Sequence, residues 1–195
     1  MTVNSRRQDN ALATQQALVK EAHELFAKKG FNQVSIDVIT EQARVSKGAF
    51  YHHFKSKKDM FRACYEFQAQ QVAAAISLPN SEDSWQDVLA QGLAFLDFVI
   101  RQKTRSIPLQ EVITVLGFDT WKKLDSQYTM GVILKALTRL EEDKLIKPFD
   151  LNLVAETLYG ILVNAAMSLA SANNKKKTYQ QLSELFTGFL NSLRV

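Results

Sequence analysis

Three prolines and seven glycines are all that interrupt 195 residues, and that scarcity constrains the fold more than any other feature of the chain. Proline removes a backbone donor and glycine leaves the backbone loose, so a chain poor in both runs long helices between few breaks. The apolar residues agree with this. They recur at three- and four-residue steps along most of the sequence, and nowhere does the two-residue alternation of a half-buried strand take over. No internal repeat and no low-complexity linker interrupts the pattern. The expected fold is all-α, with about nine helices.

The punctuation places them. Residues 13–29 form an amphipathic helix carrying Leu18, Ala22, Leu25 and Phe26. Lys28, Lys29 and Gly30 close it, with Phe31 positioned to fold back onto it. Ser35 caps a short second helix with Ile36, Ile39 and Ala43 on one face. Ser46 caps a third that ends near Phe54, and Ser56 caps a fourth with Asp59 three residues on. Beyond Lys58 the helices lengthen. The spacing predicts helices over 57–77, stopped by Pro79, from 81 or 83 to about 103, over 108–116 ending at Gly117, and over 119–145. The centre of that last one, Met130 to Leu137, is apolar nearly all round and is expected to be buried. Asp150 caps the next, and the final helix bears Leu182, Leu185, Phe186, Phe189, Leu190 and Leu193.

Hydrophobic residues make up 46% and charged residues 23%, the balance of a globular protein rather than of a disordered or collagen-like chain. The longest apolar runs stop short of the roughly 20 residues a bilayer span requires. The first ten residues have two arginines and no apolar h-region behind them, unlike a secretory signal. The single cysteine, Cys64, has no internal partner for a disulfide, so a reducing cytoplasm is the expected compartment. Charge is uneven along the chain. Residues 1–58 hold ten Lys/Arg against five Asp/Glu, a balance of +5, and the remainder holds fourteen against fifteen, a balance of −1. The excess at one end suggests an anionic partner there, or a solvated basic face.

Ala43 to Phe61 concentrates aromatic rings, two histidines and basic side chains. Two short helices flanking Ala43-Arg44-Val45-Ser46 have the dimensions of a helix-turn-helix, in which the second helix enters the DNA major groove. Ser46 would leave the early N–H groups of that helix pointing at phosphate. Gly48 removes a side chain where DNA must come close, and Lys47 can reach a phosphate or a guanine edge. Tyr51 and His52 present polar tips on rigid rings, Phe50 and Phe54 face the core, and Lys55, Lys57 and Lys58 form a further phosphate grip. Ser35, capping the helix that crosses the backbone, joins this set. An exposed polar face on a structural helical bundle is the alternative use of the same residues.

The stretch KKGFNQVSIDVITEQARVSKGAFYHHFKSKKDMF resembles the N-terminal pattern of the tetracycline-repressor (TetR) family of bacterial transcription regulators. The match runs closely from Gly30 to Phe61, and the remainder agrees in helix order and length. Two residues depart from the pattern. Thr40 stands where a small apolar residue is usual, and Arg44 where the turn usually has Gly. Arg44 either accepts a left-handed conformation at a cost on the order of 1 kcal/mol or avoids it and contacts phosphate. The resemblance implies a DNA-binding domain over 1–56 and a ligand-binding and dimerisation domain over 57–195. It further implies a homodimer on a palindromic operator, a small-molecule effector and nucleoid association.

Phe95, Phe98, Trp121, Tyr128, Asn164 and Met167 are candidates to line the effector cavity, with Asn164 the orienting polar group; aromatics at helical spacing are equally the material of a plain core. Gly160, Asn164, Ser168 and Ala172 would let the last two helices approach those of a second copy. Arg6 and Arg7 would form either a minor-groove arm or a disordered tail. His52, His53 and Cys64 invite a metal reading, but adjacent helical residues diverge by about 100°, so no metal and no cofactor is expected. No catalytic constellation stands out, so an enzyme is not expected. The competing function is a helical small-molecule carrier without DNA binding, which salt would hardly affect.

Overall fold

A computed structural model describes residues 3–76, 81–101 and 106–195, with side chains from Asp9 onward. The expected helix ends at Ser77, Pro79 and Lys103, and the side chains of Arg6 and Arg7, lie outside the described residues. Nine α-helices occur among those described. They are α1 (Val3–Lys29), α2 (Ile36–Gln42), α3 (Lys47–His53), α4 (Lys57–Ile76), α5 (Ser84–Arg101), α6 (Leu109–Leu116), α7 (Phe118–Glu142), α8 (Leu151–Ser171) and α9 (Lys175–Leu193). Packing divides the chain into two compact units, Met1–Gln68 with Thr104–Trp121, and Ala69–Lys103 with Lys122–Val195. The packing boundary therefore lies past residue 56, and the segment carrying α6 belongs with the N-terminal unit.

In the first unit α1 buries Leu18, Ala22, Leu25 and Phe26. It starts at Val3, well before the first apolar repeat, because nothing in residues 3–12 breaks a helix. Gly30 ends it at φ 80°, a conformation that glycine accepts without strain, and its N–H donates to Phe26 O at 2.9 Å. Phe31 then folds back, stacked on Phe26 at 5.8 Å between centroids and edge-on to Phe61 at 5.1 Å. Three polar clamps hold residues 106–121 in this unit. Gln68 Nε2 donates to Ile107 O at 3.1 Å while Ile107 N–H donates to Gln68 Oε1 at 2.7 Å. Phe31 N–H donates to Glu111 Oε1 at 2.6 Å, and buried Trp121 donates from Nε1 to Tyr65 Oη at 2.8 Å. His23 is buried beside Gln68, and burial lowers its pKa against the opposing pull of that bond and of Glu24.

The second unit packs α5 against α8 and α9. Phe95, Leu96, Leu137, Leu158, Leu162, Phe186 and Leu190 are among its buried residues. A Cβ on Gly92 would lie 2.0 Å from Phe186 Cζ, so α5 and α9 meet only because that position carries no side chain. The entry to α5 is pinned by charge. Arg139 Nη1 lies 2.6 Å from Asp87 Oδ2, its Nη2 donates to Ser81 O, and Ser81 donates to the same carboxylate. The Ser81 hydroxyl, its backbone N–H and then Arg139 hold the Asp87 carboxyl below the ordinary range.

The centre of α7 is not buried all round as expected. Ile133 and Leu137, four apart, face the core, while Gly131 and Lys135 are exposed. The same helix ends at Glu142 rather than Leu145, because Lys144 turns left-handed at φ 56° and Leu145 N–H bonds back to Leu140 O at 2.9 Å. The chain after it makes a single antiparallel bridge, Ile146 with Arg194. On α8, an 18-residue window of mean hydropathy 1.5 is long and apolar enough to cross a membrane by length and composition, but seven of the helix's residues are buried in this core.

Candidate nucleic-acid interface

The turn between α2 and α3 is built by three local devices. Ser35 Oγ accepts Val38 N–H at 3.3 Å, Ser46 Oγ accepts Ala49 N–H at 3.1 Å, and Arg44 takes φ 56° with Val45 N–H bonded to Thr40 O at 3.0 Å. Arg44 thus adopts the left-handed conformation and remains exposed. Thr40, the other departure from the family pattern, is buried, and its hydroxyl donates to Asp37 O at 3.0 Å, so no polar group is orphaned there.

On α3 the inward side is apolar. Phe50 is fully buried, Phe54 lies 5.7 Å from it between centroids, and both are withdrawn from solvent. The outward side carries Lys47, Gly48, Tyr51 and His52, with Lys55 just past the helix end, all exposed. Tyr51 retains 57% of its surface and leans edge-on against Phe50. Gly48 has only Ser46 Oγ, at 3.6 Å, near the place a Cβ would occupy, so no internal packing demands glycine there. Lys47 Nζ sits 2.7 Å from Asp37 Oδ1 in a solvent-exposed pair, and the bond to Asp37 raises its pKa. Such a pair is worth little and can open. His53 is half-buried, and burial followed by the neighbouring His52 lowers its pKa.

Lys57 is placed differently from its neighbours. Its Nζ donates to Phe31 O at 2.9 Å and lies 4.2 Å from the centroid of that ring, so its first role is internal rather than at the surface. Cys64 is buried with Sγ 3.5 Å from Val19 O, and burial pushes its thiol pKa up. Among the described residues no three His, Cys, Asp or Glu side chains are grouped to hold an ion.

The six residues considered for a ligand are not brought together. The second unit contains an apolar cavity of about 40 Å³, and of the six only Phe95 lines it. Asn164 is exposed on α8 and lines a separate surface hollow of about 530 Å³ with Gly160, Leu182, Leu185 and Phe186. Tyr128 Oη accepts from Gln70 at 3.3 Å, Trp121 is buried in the first unit, and Phe98 and Met167 are half-buried. The cavity residues missed in the sequence, Gly92 and Phe186 above all, stand far apart along the chain. Only the glycine inside an otherwise apolar helix hints at a close approach.

Residues 18–64 match the family described as bacterial regulatory proteins, tetR family, and residues 85–193 match a tetracyclin repressor-like C-terminal domain. The Transposon Tn10 TetC protein of Escherichia coli is 31% identical over 195 residues, covering 100% of this chain and 99% of its own length. A TetR-family transcriptional regulator from Pectobacterium atrosepticum superposes with a TM-score of 0.77 at 22% identity, over 96% of this chain and 97% of that one. RolR in complex with resorcinol superposes with a TM-score of 0.69 at 20% identity, over 95% and 90%.

Proposed function

The chain belongs to the TetR family, DNA-binding transcription regulators that answer to small ligands, and on that premise we propose that it acts as a repressor released from a palindromic operator by an effector. The observation that carries this reading is the two-faced α3, with Phe50 and Phe54 inside and Lys47, Gly48, Tyr51, His52 and Lys55 outside. Residues 1–56 read DNA in this scheme, and the rest of the chain binds effector and partner. Ser46 caps α3 through Ala49 N–H and leaves the earlier N–H groups of the helix to phosphate, Ser35 does the same at the start of α2 through Val38 N–H, and Arg44 supplies a cation at the turn. Lys57 acts by fixing Phe31. The regulator works in the bacterial cytoplasm, at the nucleoid, and its family consists of regulators rather than enzymes.

A homodimer through α8 and α9 is part of the proposal. Leu153 and Leu185 keep 64% and 69% of their surface. Gly160 and Asn164 are also exposed, and Ser168 and Ala172 half-exposed, an apolar and small-residue face suited to a second copy. The dimer would hold two recognition helices about 34–36 Å apart, one DNA turn. RolR has been solved in complex with resorcinol, and a small molecule likewise shifts the present chain toward a state with the helices displaced. A hundredfold loss of operator affinity needs about 2.7 kcal/mol of difference in effector affinity between the two states. The test is a gel shift on genome-selected fragments across a salt series. Affinity falling steeply with salt supports phosphate neutralisation, whereas affinity indifferent to salt refutes the reading.

A further inference from the structure

The outward side of α3 meets solvent with a carboxylate already in place. Asp37, in the first turn of α2, bonds Lys47 Nζ at 2.7 Å, and the two side chains remain 67% and 61% exposed. Local bonds set the acid in position. Ser35 Oγ takes the Val38 N–H of the same turn, and the hydroxyl of buried Thr40 donates to Asp37 O at 3.0 Å. An exposed pair of this kind adds little to stability, so its consequence lies in what it admits and what it turns away.

An ammonium carries three donors. One is committed to Asp37, and the other two are left for a partner outside the protein. Two acceptors on one tetrahedral ammonium sit roughly 4–5 Å apart, so a phosphate on Lys47 would bring its negative charge that close to the carboxylate. Screening is weak at that distance, because the Debye length at physiological salt is about 8 Å. A guanine edge is neutral and offers two acceptors, O6 and N7, to the two remaining donors. The pair therefore repels the backbone and suits a base.

We infer that Asp37 is a specificity-determining residue that turns Lys47 from a phosphate anchor into a reader of guanine in the major groove. This inference rests on the regulator reading above, in which α3 faces DNA. Asp37 itself touches no base. It acts through Lys47, by holding one donor and by penalising phosphate at the other two. The acid thus lowers affinity for DNA in general and raises the share of that affinity that depends on sequence.

The test titrates the full-length protein, across a salt series, with a genome-selected operator fragment and with a guanine-free alternating dA·dT duplex of the same length. Asp37→Asn frees Lys47 for a phosphate. It is expected to raise affinity for the guanine-free duplex about threefold or more and to steepen the salt slope by about one. Operator affinity changes less, so the preference for operator falls, whereas Asp37→Glu keeps the charge and the preference. Lys47→Ala weakens operator binding about tenfold, in the range of one bidentate contact, with the salt slope unchanged. It also becomes indifferent to 7-deazaguanine, which lacks the N7 acceptor, at one guanine per half-site where the wild type loses affinity. Both side chains are exposed, so both variants keep the wild-type unfolding midpoint; if Asp37→Asn does not, Lys47→Ala alone decides. Equal losses on both duplexes in Lys47→Ala, with the slope reduced by about one, make Lys47 a phosphate anchor and overturn the inference. So does an unchanged preference in Asp37→Asn, or a preference that Asp37→Glu loses as fully. The wild type separates the two failures. If it binds operator no better than the guanine-free duplex, the regulator reading itself fails; if it prefers operator while the variants go the wrong way, only the role of Asp37 falls.

Discussion

Residues 30–61 fix their shape mainly over short stretches of chain, whereas the core of the second unit is fixed by partners far apart in sequence. In the first region Ser35, Ser46 and Ser56 each cap an N–H three residues on. In the second, Arg139 reaches Asp87 across 52 positions, and Gly92 admits a ring from the opposite end of the unit. The difference teaches where function can be separated from stability. A short, locally determined helix can give one face wholly to packing and the other wholly to a partner. A core assembled from remote segments offers no such division, because the residues that would receive a guest are the ones that hold the helices together.

The sharpest way to break this contrast lies on α3, where adjacent residues have opposite exposure. Phe50→Ala removes a fully buried ring and is expected to cost about 3–5 kcal/mol in denaturant unfolding, taking operator binding with it. Tyr51→Ala removes a ring that keeps 57% of its surface. Stability should stay within about 0.5 kcal/mol, while operator affinity falls about a hundredfold, equivalent to about 2.7 kcal/mol. A gel shift beside an unfolding curve reads both quantities. Equal losses of stability and affinity in the two variants would mean that the faces of α3 are not separable after all.

Local devices explain why residues 30–61 were legible in the sequence. Serines at caps, Gly30 with Phe31 behind it, and Phe50 four residues from Phe54 are rules that act within one or two turns, and each holds in the structure. What the structure adds to that reading has non-local causes. Lys57 looked like another surface cation, but its ammonium lies on the carbonyl and ring of Phe31, a residue it meets only after the chain folds back. Asn164, expected to orient a ligand, lines a surface hollow rather than the inner cavity. Helical phase alone does not say which side of α8 is covered, and Asn164 lies on the open side. No pattern within α5 announces that Gly92 faces Phe186. For the same reason α6 could not be assigned to the N-terminal unit, since Glu111 finds Phe31 N–H across 80 positions.

Capping residues sharpen the comparison at smaller magnitude. Ser46→Ala and Asp150→Ala each delete a side-chain oxygen that accepts backbone N–H groups at a helix start, α3 in one case and α8 in the other. Each is expected to cost about 1 kcal/mol. Only the Ser46 variant should also weaken operator binding, because its N–H groups are the ones turned toward phosphate in the proposed complex. Weakened binding by Asp150→Ala would show that the second unit transmits small losses of order to the reading helix.

The smallest effect separates the two regions most cleanly, because the same backbone device occurs once in each. Arg44 and Lys144 both hold φ 56°, and in both places the following N–H bonds back to the carbonyl five residues earlier. A side chain in that conformation costs on the order of 1 kcal/mol, which glycine avoids, although glycine also gives the unfolded chain more freedom and offsets part of the gain. Arg44→Gly and Lys144→Gly should therefore each raise stability by about 0.5 kcal/mol. Their effects on DNA should diverge. Loss of a phosphate-contacting cation weakens binding to all sequences alike and reduces the salt slope by about one, so Arg44→Gly shows that change and Lys144→Gly does not. An unchanged slope in Arg44→Gly would remove Arg44 from the DNA-facing set and leave its charge without a role in the complex.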